Sequence, residues 1–157
     1  MLRNNGSGHS AVVDPVSLGI QHRASDGITT ADGDNDGDLD LLQAGSGQDA
    51  HLYLNDGQGN FTYHQSFADT PGYIGGFADL DNDGDLDLYF AGDTKICFND
   101  GTGTFTVGSP VPITAARDPR AVAFADIDGD SDLDFAIGDK RAGRNFLFRN
   151  DLPELPG

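Results

Sequence analysis

The sequence has little cysteine, little basic charge and no long apolar run, and each shortage argues against a class of protein. Its single cysteine, Cys97, excludes an internal disulfide framework, and no Cys/His cluster suggests zinc. Only 9 Lys and Arg residues accompany 26 acids, so a basic surface for nucleic acid is not expected. No apolar run approaches the roughly 18 residues of a membrane helix, and the first 25 or so residues have no signal-peptide core. A leader, if there is one, would lie upstream or have been removed.

The acids that are present are concentrated rather than spread. Fifteen of the 26 fall in three nine-residue windows, 32–40, 79–87 and 126–134, which we call loops 1, 2 and 3. The rest of the chain carries 11 acids against 9 basic residues and is nearly neutral. Unit charges a few ångströms apart repel by roughly 1 to 4 kcal/mol at a surface-like dielectric. Five carboxylates in nine residues are therefore better explained by a bound cation than by a basic partner.

The three loops mark an internal repeat. They read DGDNDGDLD, DLDNDGDLD and DIDGDSDLD, and successive loops begin 47 residues apart, at Asp32, Asp79 and Asp126. An alternating apolar run follows each loop. The segments LYLNDGQGNFTY (52–63) and ICFNDGTGTFTV (96–107) each contain the Asn-Asp-Gly turn of a β-hairpin. A period of this length is typical of a four-stranded propeller blade.

We therefore predict an all-β fold of β-propeller blades, a single unit of three four-stranded repeats. Strand A leads into the acidic loop, strand B leaves it, strand C precedes the hairpin turn and strand D follows the turn. Residues 1–24 would supply a closing strand, around Ser10 to Val16, from a preceding blade. The repeats would span 25–70, 71–116 and 117–157, and the last would lack its strand D.

Three blades need neighbours, because propellers typically contain about 4 to 8. Two copies could assemble as a homo-oligomer, a six-bladed ring in which each N-terminal strand completes the partner's last blade. Alternatively, the three blades are part of a longer array. The sequence leaves both arrangements open.

Each loop has the spacing of a calcium site. Calcium takes about six to eight oxygen ligands at roughly 2.3–2.6 Å. Aspartates at loop positions 1, 3 and 5 would converge, glycine at position 6 permits a sharp turn, position 7 offers its carbonyl and position 9 returns a fourth carboxylate. We expect one ion in each loop, three per chain. The candidate ligands are Asp32, Asp34, Asp36, Asp38, Asp40, Asp79, Asp81, Asp83, Asp85, Asp87, Asp126, Asp128, Asp130, Asp132 and Asp134.

An EF-hand shares the first half of this pattern, but it requires a glutamate at position 12. That position holds Gln43, Phe90 or Ile137, so an EF-hand is rejected. The leucine at position 8 of each loop is expected to anchor the loop in the core; these residues are Leu39, Leu86 and Leu133.

Loop 3 departs from the pattern at position 6. It has Ser131 where the other loops have Gly37 and Gly84. A left-handed backbone costs a residue other than glycine about 1 kcal/mol or more. We expect loop 3 to bind calcium more weakly than the other two loops.

These motifs resemble a known repeat family. FADLDNDGDLDLYFAG (77–92), VAFADIDGDSDLDFAIG (122–138), LRNNGSG (2–8) and LYLNDGQGNF (52–61) are similar to FG-GAP/VCBS repeats, the blades of the integrin α-subunit propeller and of many bacterial secreted proteins. The resemblance covers essentially the whole chain. It implies calcium between strands A and B of each blade and an extracellular, secreted or cell-surface setting. Repeat 1 departs from the pattern, with Thr30 in place of Phe and Gly33 in place of an apolar residue.

The expected function is a calcium-binding scaffold for extracellular protein or glycan interaction or adhesion, and not an enzyme. The carboxylates recur identically in every repeat, and no GxSxG or HExxH motif occurs. A carbohydrate-binding lectin, an accessory propeller of a secreted hydrolase or lyase, and a self-assembling fragment are the alternatives. Membrane insertion is not expected. Candidate aromatic ligand contacts, favoured less than packing between blades, are Tyr53, Tyr63, Tyr73 and Tyr89.

Three further side-chain groups are expected to be structural or solvated. Cys97 should be a small buried apolar residue. The histidines, His9, His22, His51 and His64, should be solvated. The basic cluster of Lys140, Arg141 and Arg144 should be a solvated turn.

Overall fold

The computed structural model describes residues 2–4, 6, 10–45, 47–68, 75–92, 94–110, 118–141 and 143–150. Within these ranges the regular structure consists of β-strands and one 3-10 helix, Pro15–Leu18. The strands are β1 (Leu2–Asn4), β2 (Ser10–Val12), β3 (Gly27–Ala31), β4 (Asp40–Gly45), β5 (Gln48–Asn55), β6 (Phe61–Phe67), β7 (Gly75–Ala78), β8 (Asp87–Phe90), β9 (Lys95–Asn99), β10 (Phe105–Pro110), β11 (Pro119–Ala125), β12 (Asp134–Asp139) and β13 (Phe146–Phe148).

The strands form three successive antiparallel sheets and one hairpin. Blade 1 contains β3 to β6, blade 2 contains β7 to β10, and blade 3 contains β11 to β13. In every blade each strand pairs with the next one along the chain, which gives an A-B-C-D meander; in the described residues β13 is the last strand of blade 3. β3 contacts β7, and β7 contacts β11, so the A strands of neighbouring blades lie side by side. This architecture confirms the predicted all-β, propeller-like fold.

The core lies between the blades, because the B and C strands are apolar on both faces. Leu42, Leu52 and Phe67 of blade 1 pack with Leu88 and Phe90 of blade 2 in one buried cluster. Each large side chain removed from water stabilises the fold by about 1.5–3 kcal/mol. Much of the stability of a blade therefore comes from its neighbours.

Blades 2 and 3 share a second cluster. Tyr89 is fully buried there and lies edge-on to Phe124 and close to Phe135, with ring centroids 6.2 and 5.4 Å apart. The favoured interpretation of this tyrosine, packing between blades, is confirmed. Cys97 is also fully buried, in the first cluster, as predicted.

Two adjacent glycines let the A strands approach each other. A Cβ on Gly75 would stand 2.5 Å from Leu42 Cδ2 of blade 1, and one on Gly76 would stand 2.7 Å from Phe124 Cε2 of blade 3. β7 can therefore fit between its two neighbours because neither residue has a side chain.

The N-terminal segment contains two strands, of which β2 lies at the predicted closing strand. β1 pairs with β2 in its own two-stranded sheet. The strand predicted around Ser10 to Val16 ends at Val12. It ends there because Asp14 caps the 3-10 helix by accepting a hydrogen bond from the Val16 amide (3.0 Å), and Pro15 begins that helix.

The chain after the 3-10 helix covers part of blade 1. Gly19 has a left-handed backbone (φ 90°), and a Cβ there would stand 1.8 Å from the Phe61 carbonyl oxygen. This close approach brings Ile20 onto Leu41 and Tyr53, where Ile20 is 5% exposed. Residues of the predicted closing segment thus pack on the face of blade 1 that points away from blade 2.

Candidate metal centre

Loops 1, 2 and 3 join strand A to strand B in their blades, and the three have one backbone course. Position 1 directly follows strand A, and position 9 is the first residue of strand B. Positions 4 and 6 have left-handed backbones in every loop. The residues are Asn35 (φ 60°) and Gly37 (φ 93°), Asn82 (φ 61°) and Gly84 (φ 94°), and Gly129 (φ 84°) and Ser131 (φ 78°). The left-handed backbone predicted for Ser131 is confirmed.

The aspartate at position 9 holds each loop to its own hairpin turn. Asp40 Oδ2 accepts the Gly33 amide at 2.9 Å, and Asp40 Oδ1 accepts the Asn55 amide at 2.9 Å. Asp87 accepts the amides of Leu80 and Asn99 in the same way. In blade 3, Asp134 does so with the amides of Ile127 and Asn150. Position 9, predicted as a fourth metal ligand, is therefore also a buried structural acceptor.

Three carboxylates meet in each loop. Their closest oxygens lie within 4.8 Å of one another in the sets Asp32-Asp34-Asp36, Asp79-Asp81-Asp87 and Asp126-Asp128-Asp134. Loop 1 therefore brings together positions 1, 3 and 5, whereas loops 2 and 3 bring together positions 1, 3 and 9. The other predicted ligands lie outside these three sets. They are Asp38, Asp40, Asp83, Asp85, Asp130 and Asp132.

The clustered carboxylates lie close together, and those of loops 1 and 2 are mostly half-buried or buried. Burial, together with the neighbouring Asp36, raises the pKa of Asp34, and burial with the neighbouring Asp83 raises the pKa of Asp81. Burial also raises the pKa of Asp40, and it raises that of Asp87 to about 6. Burial and neighbouring charge thus disfavour the ionised form of these groups, and a cation at the cluster would favour it.

Unpartnered oxygens show that loops 1 and 2 fit a cation. Asp32 Oδ1, Asp79 Oδ1 and Asp81 Oδ1 are buried and accept no hydrogen bond from the described residues. In contrast, the second oxygen of Asp32 accepts the Gly37 amide at 3.0 Å. A buried carboxylate oxygen without a partner is costly, and these three lie within their clusters. An oxygen-only donor set of this kind suits calcium.

The side chain of the aspartate at position 7 makes a contact that was not predicted. Asp85 Oδ1 accepts a hydrogen bond at 2.7 Å from Asn35 Nδ2, which belongs to the preceding blade. The same amide donates to the Gly101 carbonyl at 3.2 Å. Asn82 bridges to Asp132 in the same way across the next boundary. In loops 2 and 3 the side chain at position 7 therefore joins neighbouring blades.

The asparagine that follows strand C makes a second bridge in blades 2 and 3. Asn99 Nδ2 donates to the Gly33 carbonyl of blade 1 at 2.8 Å, and Asn150 Nδ2 donates to the Leu80 carbonyl of blade 2 at 3.0 Å. Sequence reasoning missed both kinds of bridge. The available signals were asparagine at position 4 of two loops and the asparagine that opens each hairpin turn.

Several expectations about single residues are corrected. Leu39 is 59% exposed and does not anchor loop 1, whereas Leu133 packs against the blade 2 and blade 3 cluster. The Leu39 carbonyl accepts a hydrogen bond from Asn55 Nδ2 at 3.1 Å. His51 is buried rather than solvated, with Arg23 2.5 Å from its Nε2. Burial, and then the Arg23 charge, lowers the His51 pKa.

The remaining candidate residues occupy varied environments. Tyr53 is fully buried against Leu41, whereas Tyr63 is 45% exposed. His22 and His64 are exposed, and His9 and Tyr73 lie outside the described residues. Lys140, Arg141 and Arg144 form an exposed turn, as predicted.

Comparison with known families gives a match at these loops. A family model described as FG-GAP-like repeat matches residues 32–90 and again residues 79–137. Each match begins at position 1 of one loop and runs through the next loop into its strand B. Together the matches cover more than half of the chain.

The chain belongs to the FG-GAP-like repeat family.

The predicted family resemblance is thereby confirmed for this FG-GAP-like chain. Comparison with curated proteins and with solved structures gives no match. Among its described residues, no helix has the length and apolar character needed to cross a membrane.

Proposed function

We propose that this FG-GAP-like protein is a non-catalytic scaffold whose blades are held together by calcium, and that it supports protein or glycan interactions outside the cell. The observation that carries the proposal is the set of buried, unpartnered carboxylate oxygens at Asp32, Asp79 and Asp81. They lie where three carboxylates converge. A divalent cation there would satisfy these oxygens and cancel their mutual repulsion.

The position of the loops explains why an ion would stabilise the whole array. Loop 1 is bonded to blade 2 through Asn35, and loop 2 is bonded to blade 3 through Asn82. An ion that orders one loop also orders a residue that donates to the next blade. Binding to the folded form alone raises stability by mass action.

Calcium is favoured by the chemistry of the donors. An extracellular setting is favoured because calcium is available there. The clusters offer carboxylate oxygens and no sulfur or imidazole ligand. Extracellular calcium modules commonly bind with dissociation constants of about 10⁻⁴–10⁻³ M. The recurrence of one arrangement in three blades supports a structural role for these carboxylates rather than catalysis.

The experiment is a calcium titration followed by both ion counting and thermal unfolding. Native mass spectrometry counts bound ions, and circular dichroism measures the midpoint of unfolding in calcium and in excess EDTA. We expect a β-type spectrum, bound calcium, and a lower midpoint in EDTA. Asp34→Asn and Asp81→Asn should each remove one ion, whereas Asp49→Asn, at an exposed site outside the loops, should remove none. An unchanged midpoint in EDTA with no bound ion would exclude the proposal.

We also propose a second copy of this chain as the partner. The outer face of blade 1 has a cleft of about 430 Å³, lined in part by Ile20, Ile28 and Gln43, and Ile28 is 62% exposed. On the far side of blade 3, Leu147 is 58% exposed. Its counterpart in blade 1, Leu52, is fully buried against blade 2. Apolar positions that pack between blades elsewhere are thus left uncovered at the two ends of the array.

A further inference from the structure

We infer that loop 3 carries its own counter-cation, Arg149, and therefore binds calcium far more weakly than loops 1 and 2, or not at all under the conditions that fill them. This inference rests on the proposed calcium function of the loops. It concerns the number of ions per chain, which the repeat pattern alone puts at three.

The first observation is an ion pair inside the third cluster. The guanidinium of Arg149 contacts Asp128 Oδ2, at position 3 of loop 3. Asp128 is one of the three clustered carboxylates. A positive charge thus already lies beside the group that an incoming cation would need.

The second observation is the residue type at this point of the repeat. The backbone amide of Asn150 donates to Asp134. The equivalent bonds in blades 1 and 2 run from Asn55 to Asp40 and from Asn99 to Asp87, so the three strand ends can be aligned. The preceding residue is Leu54 in blade 1, Phe98 in blade 2 and Arg149 in blade 3. Only the third copy places a cation next to its loop.

The third observation is that both oxygens of Asp126, at position 1 of loop 3, already accept hydrogen bonds. Asp126 Oδ1 accepts the Gly129 amide at 2.6 Å, and Asp126 Oδ2 accepts the Ser131 amide at 3.2 Å. In loops 1 and 2 the corresponding aspartates are Asp32 and Asp79. The Oδ1 atom of each is buried and accepts no hydrogen bond from the described residues. Both oxygens of Asp134 also accept amides. Among the described atoms, loop 3 contributes no buried carboxylate oxygen that lacks a partner.

The two effects differ in strength. The Arg149 side chain is 60% exposed, and exposed ion pairs are typically weak because solvent and salt screen them. The Arg149 charge alone is therefore too weak to exclude an ion. The hydrogen bonds that both Asp126 oxygens already accept must contribute as well. Neutralising Arg149 should accordingly improve binding at loop 3, without making it equal to loops 1 and 2 while Ser131 is retained.

The test uses the residues that the other blades supply. Calcium alone is titrated into the full chain, and native mass spectrometry counts the ions per chain. We expect two ions in the unmodified chain at concentrations that saturate loops 1 and 2, and a third only at calcium concentrations at least tenfold higher. Arg149→Leu, which copies blade 1, and Arg149→Gln, which removes the charge but keeps a long side chain, should each tighten the third site about two- to fivefold. Arg149→Lys keeps the charge and should leave the count at two.

Two controls assign the ions. In Asp34→Asn/Asp81→Asn, where sites 1 and 2 are weakened, Arg149→Gln should restore one ion that Asp128→Asn then removes. Circular dichroism in calcium shows whether each variant retains the β fold, and Arg149→Gln serves if Arg149→Leu does not fold. Three ions of equal affinity in the unmodified chain, or no effect of neutralising Arg149, would overturn this inference while leaving the calcium scaffold intact. No bound ion in any variant would instead contradict the scaffold proposal itself.

Discussion

At the scale of single residues, the same side chain serves different purposes according to what lies beside it. Fifteen aspartates look interchangeable in the sequence, yet those at position 9 accept backbone amides, and Asp85 accepts an amide from another blade. Asp32 and Asp79 retain an unpartnered oxygen. Local hydrogen bonding, rather than residue type, thus separates structural aspartates from the best candidate ligands.

Cys97 gives a residue-scale prediction about pH. Burial raises the pKa of its thiol to about 11, so the folded protein holds it as a neutral thiol far above the usual titration range. Because the thiolate is the reactive form, we expect almost no reaction with a disulfide reagent such as DTNB at pH 8, and rapid reaction in 6 M guanidinium. Equal rates in the two solvents would show that the cluster between blades 1 and 2 is open.

Ser131 gives a second prediction at this scale. Its φ of 78° is strained for a residue with a side chain, so Ser131→Gly should stabilise the protein by about 0.5–1 kcal/mol. Urea unfolding at fixed calcium measures the change. The reverse replacement in loop 2, Gly84→Ser, should destabilise by a similar amount. If both replacements destabilise, backbone strain is not what distinguishes position 6.

At the scale of elements, sequence reasoning was most successful where a pattern repeats. Three spaced loops and two hairpin turns were enough to predict the A-B-C-D meander and the left-handed position of Ser131. It was less successful for Leu39 and His51, because their burial depends on which face the neighbouring segment covers. The course of the chain after Val12 was also missed: the Asp14 cap and the Gly19 backbone are local features outside the repeat.

The bridges between blades were not predicted, because a period describes one unit and not the contact between two. Asn35 could be recognised as a residue that tolerates a left-handed backbone, but its acceptor, Asp85, lies 50 residues away. Only the packing of strand A beside strand A brings loop 1 next to the hairpin turn of blade 2.

The Asn35 bridge can be tested at this scale. Asn35→Gly keeps a residue that tolerates φ 60° and removes both hydrogen bonds to blade 2, so we expect a loss of about 1 kcal/mol of unfolding free energy. Unfolding by urea at fixed calcium measures the change. A double-mutant cycle with Asp85→Asn isolates the pair from the general effect of glycine. A coupling free energy near zero would mean that the bridge does not stabilise the boundary.

At the scale of the whole molecule, the array has two unlike ends. Blade 1 presents Asp38 at position 7 with no asparagine from another described loop to reach it, and loop 3 has Gly129 where loops 1 and 2 have asparagine. If a second copy packs its blade 3 against blade 1, that boundary lacks the amide bridge. The proposed ring would therefore be held there mainly by apolar contact and by the turn asparagines.

Restoring the missing donor should strengthen that association. Gly129→Asn places an amide at the left-handed position 4, from which it can donate to Asp38 of a second copy, whereas Gly129→Asp has a similar shape and no donor. Sedimentation velocity across a concentration series should show a shift toward dimer for Gly129→Asn and none for Gly129→Asp. A monodisperse monomer for all three proteins would exclude assembly through these two ends.

The amide bridges run in a single sense along the chain. Loop 1 donates a side-chain amide hydrogen bond to blade 2, and loop 2 donates one to blade 3. Both bridges therefore point in the same direction along the chain. Loop 3 has Gly129 at the corresponding position and has no side-chain amide to donate. A blade packed against loop 3 would therefore be joined without this side-chain amide, and the contact would depend on its apolar residues.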